Sequence, residues 1–116
     1  MTTYFRPPVN YALMASVAVL ALATAIIHLS LGLPLFILNG IGYIVLLMLL
    51  YAPISGLAPY QHYLRYALIA YTALTIILWF PLGTPYTAIG YITKLIELVL
   101  IALLAVEASL LRRAAS

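Results

Sequence analysis

The chain has 116 residues, 67% hydrophobic and 6% charged, with five basic and two acidic residues and a net charge of +3. Its mean hydropathy is +1.21. A water-soluble domain carries about 25% charged residues, so this composition excludes one, and disorder with it. A pI near 9.3 does not point to nucleic acid, because five scattered cations form no basic stripe. The absence of cysteine excludes disulfides, thiolate metal sites, iron–sulfur ligation and thiol redox chemistry by this chain.

A helix crosses the hydrocarbon layer with about 20 mainly apolar residues. Four stretches qualify, at about 11–31, 34–52, 64–82 and 87–111. Arg6 ahead of an apolar run, with Ala21-Leu22-Ala23 inside it, resembles a signal peptide. The run continues past Ala23, however, and reads as a retained span. Gly32-Leu33-Pro34 predicts a tight turn, since Gly ends helices and Pro suits the first turn of the next. Residues 53–63 (PISGLAPYQHY) form the one connection long enough to be a loop, and Pro81, Gly83 and Pro85 mark the third turn. The expectation is one membrane domain over 1–116: an all-α, four-transmembrane-helix antiparallel bundle.

The cations set its orientation. Arg6 precedes the first span, Arg65 borders the second connection, and Arg112 and Arg113 follow the last span. With four crossings all of them fall on one side, which the positive-inside rule makes cytoplasmic. Both termini are then cytoplasmic, and these arginines are expected to meet inner-leaflet headgroups. Tyr4, Tyr11, Tyr51, Tyr60, Tyr63 and Tyr66 read as inner interfacial anchors, and Trp79, Phe80 and Tyr86 as outer ones.

Ionisable groups within a span are costly and are functional candidates by default. Lys94 lies about 12 Å beyond Tyr86 along the fourth helix, and Glu97 follows it at i, i+3, on the same face. The spacing predicts a buried ion pair, either within the chain or docking a partner helix. His28, Asn39 and Thr75 fall at similar depth on the other three spans, so one polar layer draws on all four. His28 reads as a hydrogen-bonded histidine near its span's end. His62 is in the loop across the membrane, which excludes bis-histidine haem ligation or a two-histidine metal site by one chain. Glu107, before Arg112 and Arg113, reads as a solvated surface partner of arginines. Small residues at Ala12, Ser16, Ala18, Ala21 and Ala25 favour close helix approach, and Asn39-Gly40-Ile41-Gly42 makes a second such spot.

An enzyme is disfavoured: there is no Ser–His–acid set, no paired carboxylates at depth, no phosphate loop and no metal cluster. In length and span number the chain resembles the small multidrug-resistance exporters, which act as dimers. Their hallmark carboxylate in the first helix is absent here, and Glu97 sits beside a lysine instead. The alternative reading is such a small dimeric transporter.

The leading reading is a non-catalytic accessory subunit of a multisubunit energy-transducing complex. The segments HLSLGLPLFILNGIGYIVLLMLLY (His28 to Tyr51) and GYITKLIELVLIALLAVE (Gly90 to Glu107) resemble small uncharacterised four-span membrane proteins of green filamentous phototrophic bacteria. The resemblance implies an accessory subunit of a quinol-oxidising assembly such as alternative complex III. Haem, iron–sulfur clusters and quinone would then belong to partner subunits, and this chain alone would bind no cofactor. Its partners would be other integral membrane subunits, lipids and quinone. His28, Asn39, Tyr43, Tyr91, Lys94 and Glu97 are the residues placed to touch a partner, a lipid or a quinone.

Overall fold

A computed structural model describes residues 11–82 and 86–115. Arg6, Tyr4, Gly83 and Pro85, to which the sequence assigns roles, lie outside the described residues. The described chain is all helical: α1 (Tyr11–Ser30), α2 (Pro34–Tyr51), α3 (Gln61–Leu82) and α4 (Ala88–Ala115), with a short 3-10 helix, Ser55–Tyr60, between α2 and α3. All four α-helices are long and apolar enough to cross a membrane.

The boundaries follow local chemistry. Gly32 sits at φ 76°, a left-handed geometry open to Gly without steric cost, and its N–H reaches the Leu29 carbonyl at 3.3 Å. Leu33 is extended and Pro34 opens α2, the position where a missing N–H costs nothing. The 53–63 connection is more ordered than the expected loop, because the 3-10 helix runs straight into α3, which starts at Gln61. His62 is therefore in the first turn of α3, not in the loop, with its ring 4.0 Å from that of Tyr63. Thr87 caps α4: its Oγ1 accepts from Gly90 N at 3.2 Å, satisfying one orphan donor of the first turn. Pro81 lies within the last turn of α3.

Packed pairs run in a ring, α1–α2, α2–α3, α3–α4 and α4–α1. Each helix turns one seam inward at three- and four-residue spacing. On α1 it is Val17, Ala21, Thr24, Ala25 and His28; on α2, Gly40, Tyr43, Leu47 and Leu50; on α3, Arg65, Leu68 and Thr72. On α4 the seam reads Glu97, Leu100, Leu104 and Glu107, every one of them buried. The small-residue stripe of α1 is used at Ala21 and Ala25, whereas Ala12 and Ser16 are exposed.

α1 and α2 approach closely at Gly40. A Cβ on Gly40 would stand 2.8 Å from the Ala25 carbonyl oxygen and 2.9 Å from Leu29 Cγ. Gly40→Ala must therefore push two backbones apart, and it is expected to cost about 1–3 kcal/mol. Reversible unfolding of the reconstituted chain in mixed micelles measures this. An unchanged midpoint would contradict the close crossing.

Candidate functional site: a buried carboxylate cluster beneath a cleft

Glu97 is fully buried and its carboxylate gathers side chains from three helices. Oε1 accepts from Lys94 Nζ at 2.5 Å. Oε2 accepts from Thr24 Oγ1 at 2.8 Å and from Tyr43 OH at 3.0 Å. His28 Nε2 stands 4.0 Å from the same oxygen. The pair expected at i, i+3 is thus present and internal. It is supported by two hydroxyls, the condition under which a buried ion pair is tolerated.

The histidine's orientation follows from its other nitrogen. Nδ1 lies 2.7 Å from the Thr24 carbonyl oxygen. A carbonyl can only accept, so Nδ1 carries a hydrogen. In the neutral ring, Nε2 is then a free lone pair at the edge of the cluster. The Thr24 hydroxyl hydrogen goes to Glu97, which makes Thr24 the link between the two groups.

On the far side, the Tyr43 ring packs edge-on against Tyr71 at 4.9 Å. Tyr71 OH donates to the Asn39 carbonyl at 2.8 Å. Thr75 Oγ1 lies 3.2 Å from Asn39 Oδ1 and 3.0 Å from the Tyr71 carbonyl. Polar groups from all four helices are thereby joined. Gly42 is part of this arrangement, since any Cβ there would collide with the Tyr71 ring and hydroxyl.

Above the cluster opens a cleft of about 540 Å³. Its apolar walls include Leu35, Leu38, Leu74 and Leu78, its aromatic ones are Phe36, Tyr71 and Trp79, and its polar lining is His28, Asn39, Thr75, Thr87, Thr93 and Lys94. Leu31 and Leu33 from the first turn, and Leu82 and Thr87 from around the third, line the same cleft.

A second buried cluster sits farther along α4. Glu107 accepts from Arg65 Nε at 2.7 Å and from Tyr51 OH at 2.8 and 2.9 Å. This corrects two expectations. Arg65 is 3% exposed and ion-paired instead of facing headgroups, and Glu107 is 7% exposed instead of solvated beside Arg112 and Arg113. The reason is register: ten residues after Glu97, Glu107 returns to the same inward seam. Tyr51, at the end of α2, turns its hydroxyl to Glu107. Arg112 is exposed and bonds Tyr66 OH at 3.1 Å; Arg113 is exposed too. Between the two clusters, about 15 Å apart along α4, Leu47, Leu50, Leu68, Leu100 and Leu104 are all buried.

Of the six residues singled out by sequence, His28, Tyr43, Lys94 and Glu97 meet in one cluster, and Asn39 lies beside it on the cleft wall. Tyr91 does not join them. It is 57% exposed and packs its ring 5.2 Å from Trp79, beside Tyr86 at 4.5 Å from the same indole. Tyr86 OH also bonds the Phe80 carbonyl. Sequence reading missed Thr24, whose signal was its place one turn before His28 on the same helix face, and Tyr71, which no local spacing ties to Asn39. Among the described residues no three His, Cys, Asp or Glu side chains come together as a metal centre. Comparisons with protein-family models, with curated proteins and with solved structures return no match.

Proposed function

We propose that the chain is a non-catalytic accessory subunit of a quinol-oxidising electron-transport complex in a bacterial plasma membrane. It would be an antiparallel four-helix bundle with both termini cytoplasmic, packed on partner helices and lipid and bordering a quinone site. The observation that carries this reading is the pair of internally neutralised carboxylate clusters with a buried leucine layer between them. Such a core holds four helices in fixed register and offers no continuous polar route from one cluster to the other. Exposed large side chains on all four helices, among them Val19, Leu38, Ile77 and Leu95, leave the outer surface to lipid and to foreign helices.

Extraction of native membranes in mild detergent, native gel separation, mass spectrometry and a visible spectrum of the band test it. Co-migration in fixed ratio with haem-bearing or quinone-reactive subunits is expected. Migration as a small colourless species would overturn the assignment. Single-cysteine variants at Leu33 and Arg113, in a chain without native cysteine, test orientation: a membrane-impermeant thiol reagent should label the first from outside and the second from inside.

A specific observation favours a second reading. The cleft is one-sided and ends above a buried carboxylate, as the binding site of a small proton-coupled transporter would. Substrate-dependent proton flux in liposomes carrying the chain alone would establish that reading in place of the first.

A further inference from the structure

The hydrogen-bond inventory around the cleft restricts what can occupy it. Thr93 Oγ1 donates to the Ile89 carbonyl at 2.6 Å, and the hydroxyl hydrogens of Tyr71 and Thr75 go to oxygens of Asn39 or to the helix backbone. Those side chains have no donor left to give. Lys94 and Asn39 do, as do the Trp79 indole N–H and the Thr87 hydroxyl, whose oxygen accepts from Gly90 N. The Lys94 ammonium has three hydrogens, and among the described residues its hydrogen bond is to Glu97. The Asn39 amide has its oxygen engaged by Thr75, while its NH₂ has no acceptor among the described residues. Lys94 is on α4 and Asn39 on α2, which are not neighbours in the ring of packed helices. Lys94 and Asn39 therefore present donors to the cleft from different walls.

Charge restricts the occupant further. Lys94 and Glu97 cancel, and the Nδ1–H contact is compatible with a neutral His28. An anionic head would put uncompensated negative charge beside a buried carboxylate, and a cationic head would face the ammonium. A neutral head bearing carbonyl acceptors at two edges satisfies both donors without adding charge. Aromatic side chains (Phe36, Tyr71, Trp79) suit a flat ring, and exposed leucines at the mouth suit an apolar tail. The volume is within the range of about 300–1,000 Å³ typical of small-molecule sites.

From this geometry we infer that the cleft is a binding site for a neutral, two-carbonyl ring on an apolar tail, the chemistry of a membrane quinone, with its carbonyls on Lys94 and Asn39. The inference rests on the subunit reading for the source of the ligand. Its test uses the isolated full chain, so absence of binding would leave co-migration standing, and absence of co-migration would leave binding standing.

Trp79 is the single tryptophan and lines the cleft, so its fluorescence reports occupancy directly. Menadione titrated into the chain in nanodiscs is expected to quench it saturably, and decanoate at matched concentration is expected not to displace the quinone. Lys94→Met should raise the half-saturation concentration about tenfold or more, the loss of one charge-assisted hydrogen bond. Leu74→Phe, which fills the cleft wall without touching the Glu97 cluster, should weaken binding as well, and it decides the matter if Lys94→Met does not fold. Linear, unsaturable quenching would overturn the proposal. So would saturation unchanged in Leu74→Phe and in any folded Lys94→Met, or displacement by decanoate, which would assign an anionic head.

Discussion

Glu97→Leu is expected to be the most damaging single substitution in this chain, destabilising it by about 3–5 kcal/mol. The size comes from the ion and not from the hydroxyls. Hydrogen bonds between helices in a membrane are worth about 0.6 kcal/mol each on average, so losing those from Thr24 and Tyr43 explains little of the total. The larger part is the Lys94 ammonium, 8% exposed, left without its counter-ion. Tyr43→Phe should accordingly cost less than about 1 kcal/mol. Lys94→Met added to Glu97→Leu should recover most of the loss, because a buried pair replaced by apolar side chains is often neutral. Unfolding titrations of the native chain, Glu97→Leu, Lys94→Met, Tyr43→Phe and the double variant in mixed micelles give all of these values. A double variant as unstable as the sum of its single variants would show that the two residues do not act as a pair. On the proposed subunit reading, Lys94→Leu or Glu97→Leu in native membranes should lower the yield of assembled complex more than turnover per assembled complex.

Arg65→Met carries the second large effect and separates two physical roles for that arginine. An interfacial arginine held by headgroups contributes roughly 1 kcal/mol, rising with the anionic lipid fraction and falling with salt. A guanidinium bonded to Glu107 at 2.7 Å and 3% exposed leaves behind an unneutralised buried carboxylate when removed. The expected cost is again about 3–5 kcal/mol, independent of lipid charge, with recovery on adding Glu107→Leu. Measuring the unfolding midpoint in zwitterionic and in anionic bilayers decides between them: a cost that disappears in zwitterionic lipid would restore the headgroup role.

The fate of Arg65 shows where sequence reading stops. The positive-inside rule uses the end of the membrane at which a cation falls, and it is indifferent to the direction in which the side chain points. Arg65 and Arg112 are alike by that rule, yet one is buried on the α3 seam with Leu68 and Thr72 and the other is exposed beside Tyr66. In a soluble helix the apolar stripe reveals the inward face. Here every face is apolar, so the pattern that would have placed Glu107 inside carries little contrast. The i, i+3 pair of Lys94 and Glu97 was legible because it is local. Thr24 and Tyr43 reach the same carboxylate from 73 and 54 residues away in sequence, and no local spacing encodes that. Tyr91 lies outside that cluster for a related reason: a tyrosine one turn before Lys94 can follow it inward or turn to the aromatic ring of Trp79, and packing selects the second.

By itself the sequence determined the class and the punctuation. Seven charges in 116 residues demand a nonaqueous surrounding. Four apolar runs of sufficient length dictate four helices, since a backbone without water must satisfy its own hydrogen bonds. Gly32 and Pro34 set the first turn by their backbone geometry alone. The tertiary structure decided what those helices enclose: that both acidic side chains are neutralised inside it, that leucines separate them, and that a cleft lined by Lys94 and Asn39 lies over one of them. These are properties of helix rotation and register, fixed by the fit of Ala25 to Gly40 and of Tyr43 to Tyr71 and by the need of each buried charge for a partner.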